Sequence, residues 1–216
     1  YVLFLLKILY KLFSFNSSST HVSKDSKNNA LTLNNKSKLI PNMIKINKDV
    51  SFSEERGYLF IGRQEKRKNF EYFKLLSDHK NFKNSKFIAI TNKLINSKNI
   101  EVYINPSEKQ KKDIFKLTNI YLALNTKSES FGITLLEAVN NGNLVVSSDL
   151  SSFINVLPNS YIAYKNKDFD SLCNVLTNLE KKDLNSLWIN QYEDIRKYDL
   201  EENMKKFILL YSNIWC

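Results

Sequence analysis

The chain has 216 residues, 43% of them hydrophobic, with 32 Lys and Arg against 22 Asp and Glu and only two cysteines. That length holds one large domain, or one domain with part of another, around a sizeable core. The net charge of +10 favours an anionic partner. Cys173 and Cys216 make no disulfide framework, and His21 and His79 stand alone without metal-ligand spacing.

The first element is an apolar helix over Tyr1 to Phe13. Lys7 and Lys11 share one of its faces, and it is too short and too charged to span a bilayer. Ser18 to Ser23 reads as a short strand, Lys24 to Leu31 as a helix, and Lys38 to Pro41 as extended chain. Asn42 to Glu55 is polar and irregular, with the composition of a linker. Regular alternation then begins. Tyr58 to Arg63 is a strand, Asn69 to His79 a helix, Lys86 to Thr91 and Ile100 to Ile104 strands, and Ser107 to Leu117 a basic amphipathic helix. Asn119 to Thr126 and Asn143 to Ser148 are strands flanking a short helix, and Ser160 to Tyr164 is another strand. From Asp168 the pattern is helical to the end. Short strands alternating with helices predict an α/β fold, with a parallel sheet covered on both faces. The Lys109 to Asp113 run reads as a solvated helix face. No nucleic-acid-binding motif occurs, so nucleic acid is set aside as a partner.

The most specific stretch is Glu129-Ser130-Phe131-Gly132-Ile133-Thr134-Leu135-Leu136-Glu137. A helix start carries unpaired N–H groups and roughly half a positive charge, so it suits phosphate. Gly132 lets an anion approach the backbone, where the amides of Gly132, Ile133 and Thr134 would donate. Phe131 reads as packing at the helix start. Glu137 lies about 7 Å further up the axis, roughly the offset of a ribose from its diphosphate. Glu129 precedes the helix and would face a group beyond the diphosphate. Cations come from Gly62-Arg63-Gln64-Glu65-Lys66-Arg67-Lys68-Asn69, with Arg63 at a strand carboxyl end and Lys68 opening the next helix.

These residues closely resemble the retaining glycosyltransferases of family 4, which have the two-domain GT-B architecture. Thr20 to Ser23 is similar to the last strand of that family's N-terminal domain, and Ile40-Pro41-Asn42 to its "IPN" segment. Phe60 to Arg63 with Lys68-Asn69 is similar to the "GR…KN" element, and Glu129 to Ala138 to the EX7E motif. Gly142 to Val146 resembles the strand that follows, and Asp199 to Tyr211 the terminal helix that folds back. The resemblance implies a GT-B fold in three parts: residues 1–42 from the N-terminal acceptor domain, 43–198 as a Rossmann-like donor-binding domain, and 199–216 as a helix returning to the N-terminal part. It implies transfer of a sugar from a nucleotide-diphosphate sugar to a glycan or lipid-linked acceptor, with retention of configuration. No cofactor and no bound metal are implied. Arg63 and Lys68 would bind the diphosphate with Gly62 beside them, Glu129 the donor sugar and Glu137 the ribose. Residues Phe131 to Thr134 would hold the phosphates, and Glu129, Arg63 and Lys68 would carry catalysis.

Asn92 stands where the family often has glycine. The family's N-terminal glycine-rich loop and acceptor-binding half have no counterpart in the sequence, so a missing segment or a partner subunit is expected to supply them. This chain by itself is expected to be inactive. The expected location is cytoplasmic, and the charge leaves room for peripheral contact with an anionic membrane. Two other classes stay open: a non-catalytic nucleotide-binding or scaffold subunit, and a basic peripheral protein that binds through charge alone.

Overall fold

The computed structural model describes residues 20–23 and 38–215. Near the start, β1 (Thr20–His21) pairs in parallel with β2 (Lys38–Leu39). The helices expected over Tyr1 to Phe13 and Lys24 to Leu31 lie outside the described residues.

The main body is a parallel sheet of six strands with helices on both faces. In chain order it runs β3 (Gly57–Ile61), a 3-10 turn (Lys66–Lys68), α1 (Phe70–Asp78), β4 (Lys86–Thr91), β5 (Glu101–Ile104) and α2 (Glu108–Phe115). It continues through β6 (Ile120–Ala123), α3 (Ile133–Val139), β7 (Leu144–Ser148), α4 (Ser151–Val156), β8 (Ala163–Tyr164), α5 (Phe169–Leu179), α6 (Leu184–Arg196) and α7 (Leu200–Trp215). The spatial order is β5-β4-β3-β6-β7-β8. The chain winds outward from β3 to β5, then returns to lay β6 against the other side of β3. That reversal opens a crevice at the carboxyl ends of β3 and β6, the place where open α/β sheets bind ligands.

The strand sequences account for the sheet. β6 and β7 are buried throughout, and β3 and β4 almost throughout, as expected of strands covered on both sides. On one face, α1 and α5 meet through Tyr72 and Phe169, and an aromatic cluster of Phe60, Phe70, Phe73 and Phe87 fills the space beneath α1. On the other face, α3 and α6 pack beside β7, and the Trp188 indole donates to the Val139 carbonyl at 2.9 Å. Local chemistry sets the helix starts. Ser107 and Gln110 form a reciprocal capping box on α2. Asp168 caps α5 and Asp183 caps α6.

Several elements differ from the sequence reading. Lys68 does not open a helix: it closes the 3-10 turn, and Asn69, in the left-handed region at φ 53°, separates it from α1. Helix α4 was not foreseen. The strand expected from Ser160 shrinks to Ala163–Tyr164, because Asn159 and Ser160 are engaged by the buried Asp194 of α6 at 2.6–3.0 Å. The segment before β3 has no regular structure, as expected, yet it is strapped down. Ile44 exchanges backbone hydrogen bonds with Tyr198 and Leu200, Asn47 donates to Asn140, and Ser53 donates to Gly142. Gly142, at φ +88°, is where the strap crosses. A Cβ there would stand 2.3 Å from the Ser51 carbonyl oxygen, so only glycine fits.

Candidate functional site

The crevice between β3 and β6 is built by two loops. The first leaves β3 through Gly62, whose N–H donates to Ile90 at 3.0 Å, and runs through Arg63 to the 3-10 turn. The second leaves β6 at Leu124 and runs to Gly132. The Thr126 amide donates to the Arg67 carbonyl at 2.8 Å and ties the loops together. Ser128 holds φ 57°, a costly conformation for a residue with a Cβ, and Arg67 Nη1 donates to its carbonyl at 3.3 Å.

Glu129 is the centre of the arrangement. Its Oε2 accepts from Lys68 Nζ at 3.0 Å and from Asn125 Nδ2 at 2.7 Å, and Arg67 Nη1 lies 4.0 Å away. The Lys68 and Glu129 side chains are only 16% and 17% exposed, so the pair is largely withdrawn from water. Asn125 is buried, and its carbonyl accepts from the Ser148 hydroxyl at 2.6 Å. All of these contacts fall on Oε2, and none is made by Oε1 among the described residues. Two residues 61 apart in sequence are thus joined by the sheet reversal.

The other expected residues fall as follows. Arg63 is not drawn into this cluster. Its side chain is 76% exposed and makes a loose ion pair of 3.7 Å with Glu65, so it is free to swing. Gly132 caps α3 at φ 89°, where an added Cβ would meet the Phe153 ring at 2.9 Å. The first turn of α3 leaves its leading N–H groups without intrahelical acceptors. Ile133 is exposed, and Thr134 Oγ1 accepts from Tyr121 OH at 3.1 Å. Burial pushes the Tyr121 phenol far above its ordinary pKa; the bond to Thr134 opposes this, and the charges of Glu137 and Glu129 add to it. Phe131 is buried edge-on against Tyr198, so its ring is core and only its backbone can face a ligand.

Glu137 is held separately. Its Oε2 accepts from Lys111 Nζ of the neighbouring α2 at 2.8 Å. Both line a cleft of about 1010 Å³ bounded by the strap at Ile44 to Asp49, α2, α3 and the start of α7. That cleft includes Glu137 but not Arg63, Lys68 or Glu129. Among the described residues no cluster of three or more His, Cys, Asp or Glu could hold a metal ion. No described helix is long and apolar enough to cross a membrane.

Sequence reasoning missed Asn125, Arg67 and Lys111, which hold the two glutamates. It also missed that Asn92 Oδ1 accepts from the Gln64 amide at 3.1 Å, and so links the loops after β3 and β4. Asn92 was noticed only as a substitution for glycine.

The family model for glycosyl transferases group 1 matches residues 43–202, from the strap through the start of α7. The chain belongs to this family. Among solved structures, it superposes on TarM of S. aureus with a TM-score of 0.71 at 16% identity, covering 90% of this chain and 43% of that one; a variant of that protein was solved with UDP. It superposes on sucrose-phosphate synthase from Thermosynechococcus elongatus with a TM-score of 0.74 at 14% identity, covering 91% and 58%. A glycosyltransferase from Rickettsia africae ESF-5 gives 0.74 at 14% identity, covering 97% and 66%. At these identities the likeness is one of fold, and the fold is that of the GT-B glycosyltransferases. This group 1 chain spans 43% to 66% of the length of those structures. No curated protein matches it in sequence.

Proposed function

We propose that the β3/β6 crevice binds a nucleotide-diphosphate sugar, and that this chain is the donor-binding part of a retaining glycosyltransferase of family 4. The observation that carries the reading is the Lys68–Glu129–Asn125 cluster beside the Gly132 helix start, at the reversal point of the sheet. Residues 43–198 form the donor domain, 1–42 belong to the acceptor domain, and 199–216 return to it. The acceptor is a glycan or lipid-linked molecule, and a further N-terminal segment or a partner subunit supplies the rest of its site. The protein acts in the cytoplasm, with its basic surface available to an anionic membrane.

In this reading the diphosphate lies between the first turn of α3 and Lys68, and Arg63 closes over it from solvent. Competition by phosphate oxygens draws Lys68 from Glu129, whose carboxylate is then fully open to sugar hydroxyls. Asn125 keeps that carboxylate in place when the lysine moves. Stabilising the leaving diphosphate and orienting the donor are the two contributions this chain makes to turnover. Retention follows from the family resemblance, and an NMR assay of the product anomer made by the full enzyme tests it.

Isothermal titration of the chain with UDP, GDP and ADP is the direct test. One of them binds, and Arg63→Ala weakens it by about 1.5–3 kcal/mol, roughly tenfold to a hundredfold. Folded protein that binds none of the three overturns the reading.

A further inference from the structure

The two glutamates of the motif are treated alike by the fold. Each gives its Oε2 to a lysine from another element, and each keeps Oε1 open among the described residues: Glu129 to Lys68 at 3.0 Å, Glu137 to Lys111 at 2.8 Å. The first lysine belongs to a recognisable element. The second sits in the basic run Lys109 to Lys112, where the sequence gives it no distinction. Its neighbours on α2 behave differently: Lys112 is exposed, while the Lys111 side chain is only 17% exposed and Glu137 is 29% exposed. Holding Lys111 in that position restricts a long side chain, and such restriction costs entropy that a surface ion pair seldom repays. A largely covered pair at 2.8 Å, lining an open cleft, points to a task beyond helix–helix attachment.

We propose that Lys111 is a positioning residue for donor recognition: it fixes the Glu137 carboxylate so that its free oxygen faces the ribose hydroxyls. The inference rests on the donor-site reading above. Helix α2 leads into β6 and α3 leaves it, the Lys111–Glu137 bond joins the two helices, and each residue lies about one turn into its helix. A nucleoside lying along α3 from a diphosphate at Gly132 would reach Glu137 about 7 Å up the axis, on the oxygen that Lys111 does not occupy. A free Glu137 there would have several rotamers and would set a full negative charge near the diphosphate. Lys111 removes both faults. It selects one rotamer through Oε2, and it cancels the charge without occupying Oε1. The specificity that results is for a ribonucleotide over its deoxy counterpart. A hydrogen bond to a fixed carboxylate is lost with the hydroxyl, whereas a mobile carboxylate is re-solvated at little cost.

The test measures affinity for UDP, GDP and ADP and for their 2′-deoxy counterparts, in wild type, Lys111→Met and Lys111→Arg. With the nucleotide that binds, wild type should prefer the ribose form by about tenfold or more. In Lys111→Met that preference should fall to within about twofold, because the coupling between hydroxyl and lysine is removed. Lys111→Arg, which can still donate to Glu137, should restore most of it. A purely structural role for Lys111 would weaken ribose and deoxyribose forms alike and leave their ratio unchanged, and that result overturns the inference. Lys111→Ala carries the same comparison if the methionine variant does not fold. If wild type binds no nucleotide, the donor-site reading itself fails. If wild type binds and discriminates but the Lys111→Met ratio is unchanged, only the role of Lys111 fails.

Discussion

Removing Lys68 separates what the Lys68–Glu129 pair does for the fold from what it does for a ligand. At 3.0 Å and an effective dielectric near 20, the gross attraction is roughly 5–6 kcal/mol. Desolvation of two side chains that keep only 16% and 17% exposure cancels most of this. Breaking a fully buried pair from one side costs about 3–5 kcal/mol. Here Asn125 at 2.7 Å and Arg67 at 4.0 Å remain beside the abandoned carboxylate. Lys68→Met should therefore cost about 1–3 kcal/mol, lowering the thermal midpoint by roughly 3–10 °C for a chain of this size. It should also weaken nucleoside diphosphate binding tenfold to a hundredfold, the loss of one charge-assisted contact. Glu129→Gln separates the two effects. It keeps an acceptor for Asn125, frees Lys68 and removes a negative charge from beside the phosphates. It too should cost about 1–3 kcal/mol, because the Lys68 ammonium loses its carboxylate, yet bare nucleoside diphosphate should bind as well or up to about tenfold better. Turnover by the full enzyme should fall, since the sugar loses its acceptor. Calorimetric melting and titration on the same three proteins decide the matter. If Lys68→Met binds nucleotide as tightly as wild type, the assignment of Lys68 to the diphosphate is refuted.

Gly142→Ala should cost about 3–5 kcal/mol in urea denaturation. Its φ of +88° is unfavourable for alanine, and the new Cβ would meet the Ser51 oxygen and break the Ser53–Gly142 bond. A cost below about 1 kcal/mol would mean that the strap is not held there. Asp194→Ala should cost about 3 kcal/mol or more, because it strands the Asn159 amide, the Asn159 side chain and the Ser160 hydroxyl; a melting midpoint equal to wild type would contradict this. Alkaline stability should fall between pH 10 and 12. Burial raises the Tyr198 phenol to about 12, and Tyr58, Tyr121 and Tyr164 move the same way. The unfolded chain releases these protons first, so stability present below pH 10 is lost as pH rises through the native values. Lys197, with its pKa lowered by burial, opposes this only below its ordinary value of 10.5. Urea midpoints at pH 8, 10 and 11.5 should therefore decline, and Tyr198→Phe should flatten the decline.

The sheet was legible because each strand is a short apolar run bounded by polar turns and alternates with helical segments. The α3 start was legible because glycine before an apolar helix has few other uses. Helix α4 escaped because six residues, Ser151 to Val156, are too few to show a period and lack a capping side chain at Leu150. The shortness of β8 was hidden because Asp194, which diverts its leading residues, lies 34 positions away from Ser160. In the site, Lys68 could be proposed from its place before the helix that follows β3, and Glu129 from its place in the loop before Gly132. Asn125, Arg67 and Lys111 could not, because each acts through a contact made only when loops or helices from different crossovers meet. A lysine inside a basic run gives no local sign that it will be the one covered.

The charge arrangement yields one more expectation. A diphosphate that lies near two carboxylates must find cations, and elsewhere a divalent ion does that work. In this chain each glutamate already has its own lysine, so the carboxylates add little net charge to the crevice. Arg63 is 76% exposed and only loosely paired, and it can turn to the phosphates without abandoning a strong partner. Lys68 can be shared between Glu129 and a phosphate oxygen, and the first turn of α3 adds its N–H groups. A diphosphate thus meets Arg63, a Lys68 shared with Glu129, and a helix start. Nucleotide affinity should therefore differ by less than about twofold between EDTA and millimolar magnesium or manganese, and should fall steadily with salt as exposed Arg63 is screened. Binding that appears only with a divalent ion would show that the nucleotide arrives as a metal complex. Arg63 and Lys68 would then be insufficient for the role given to them.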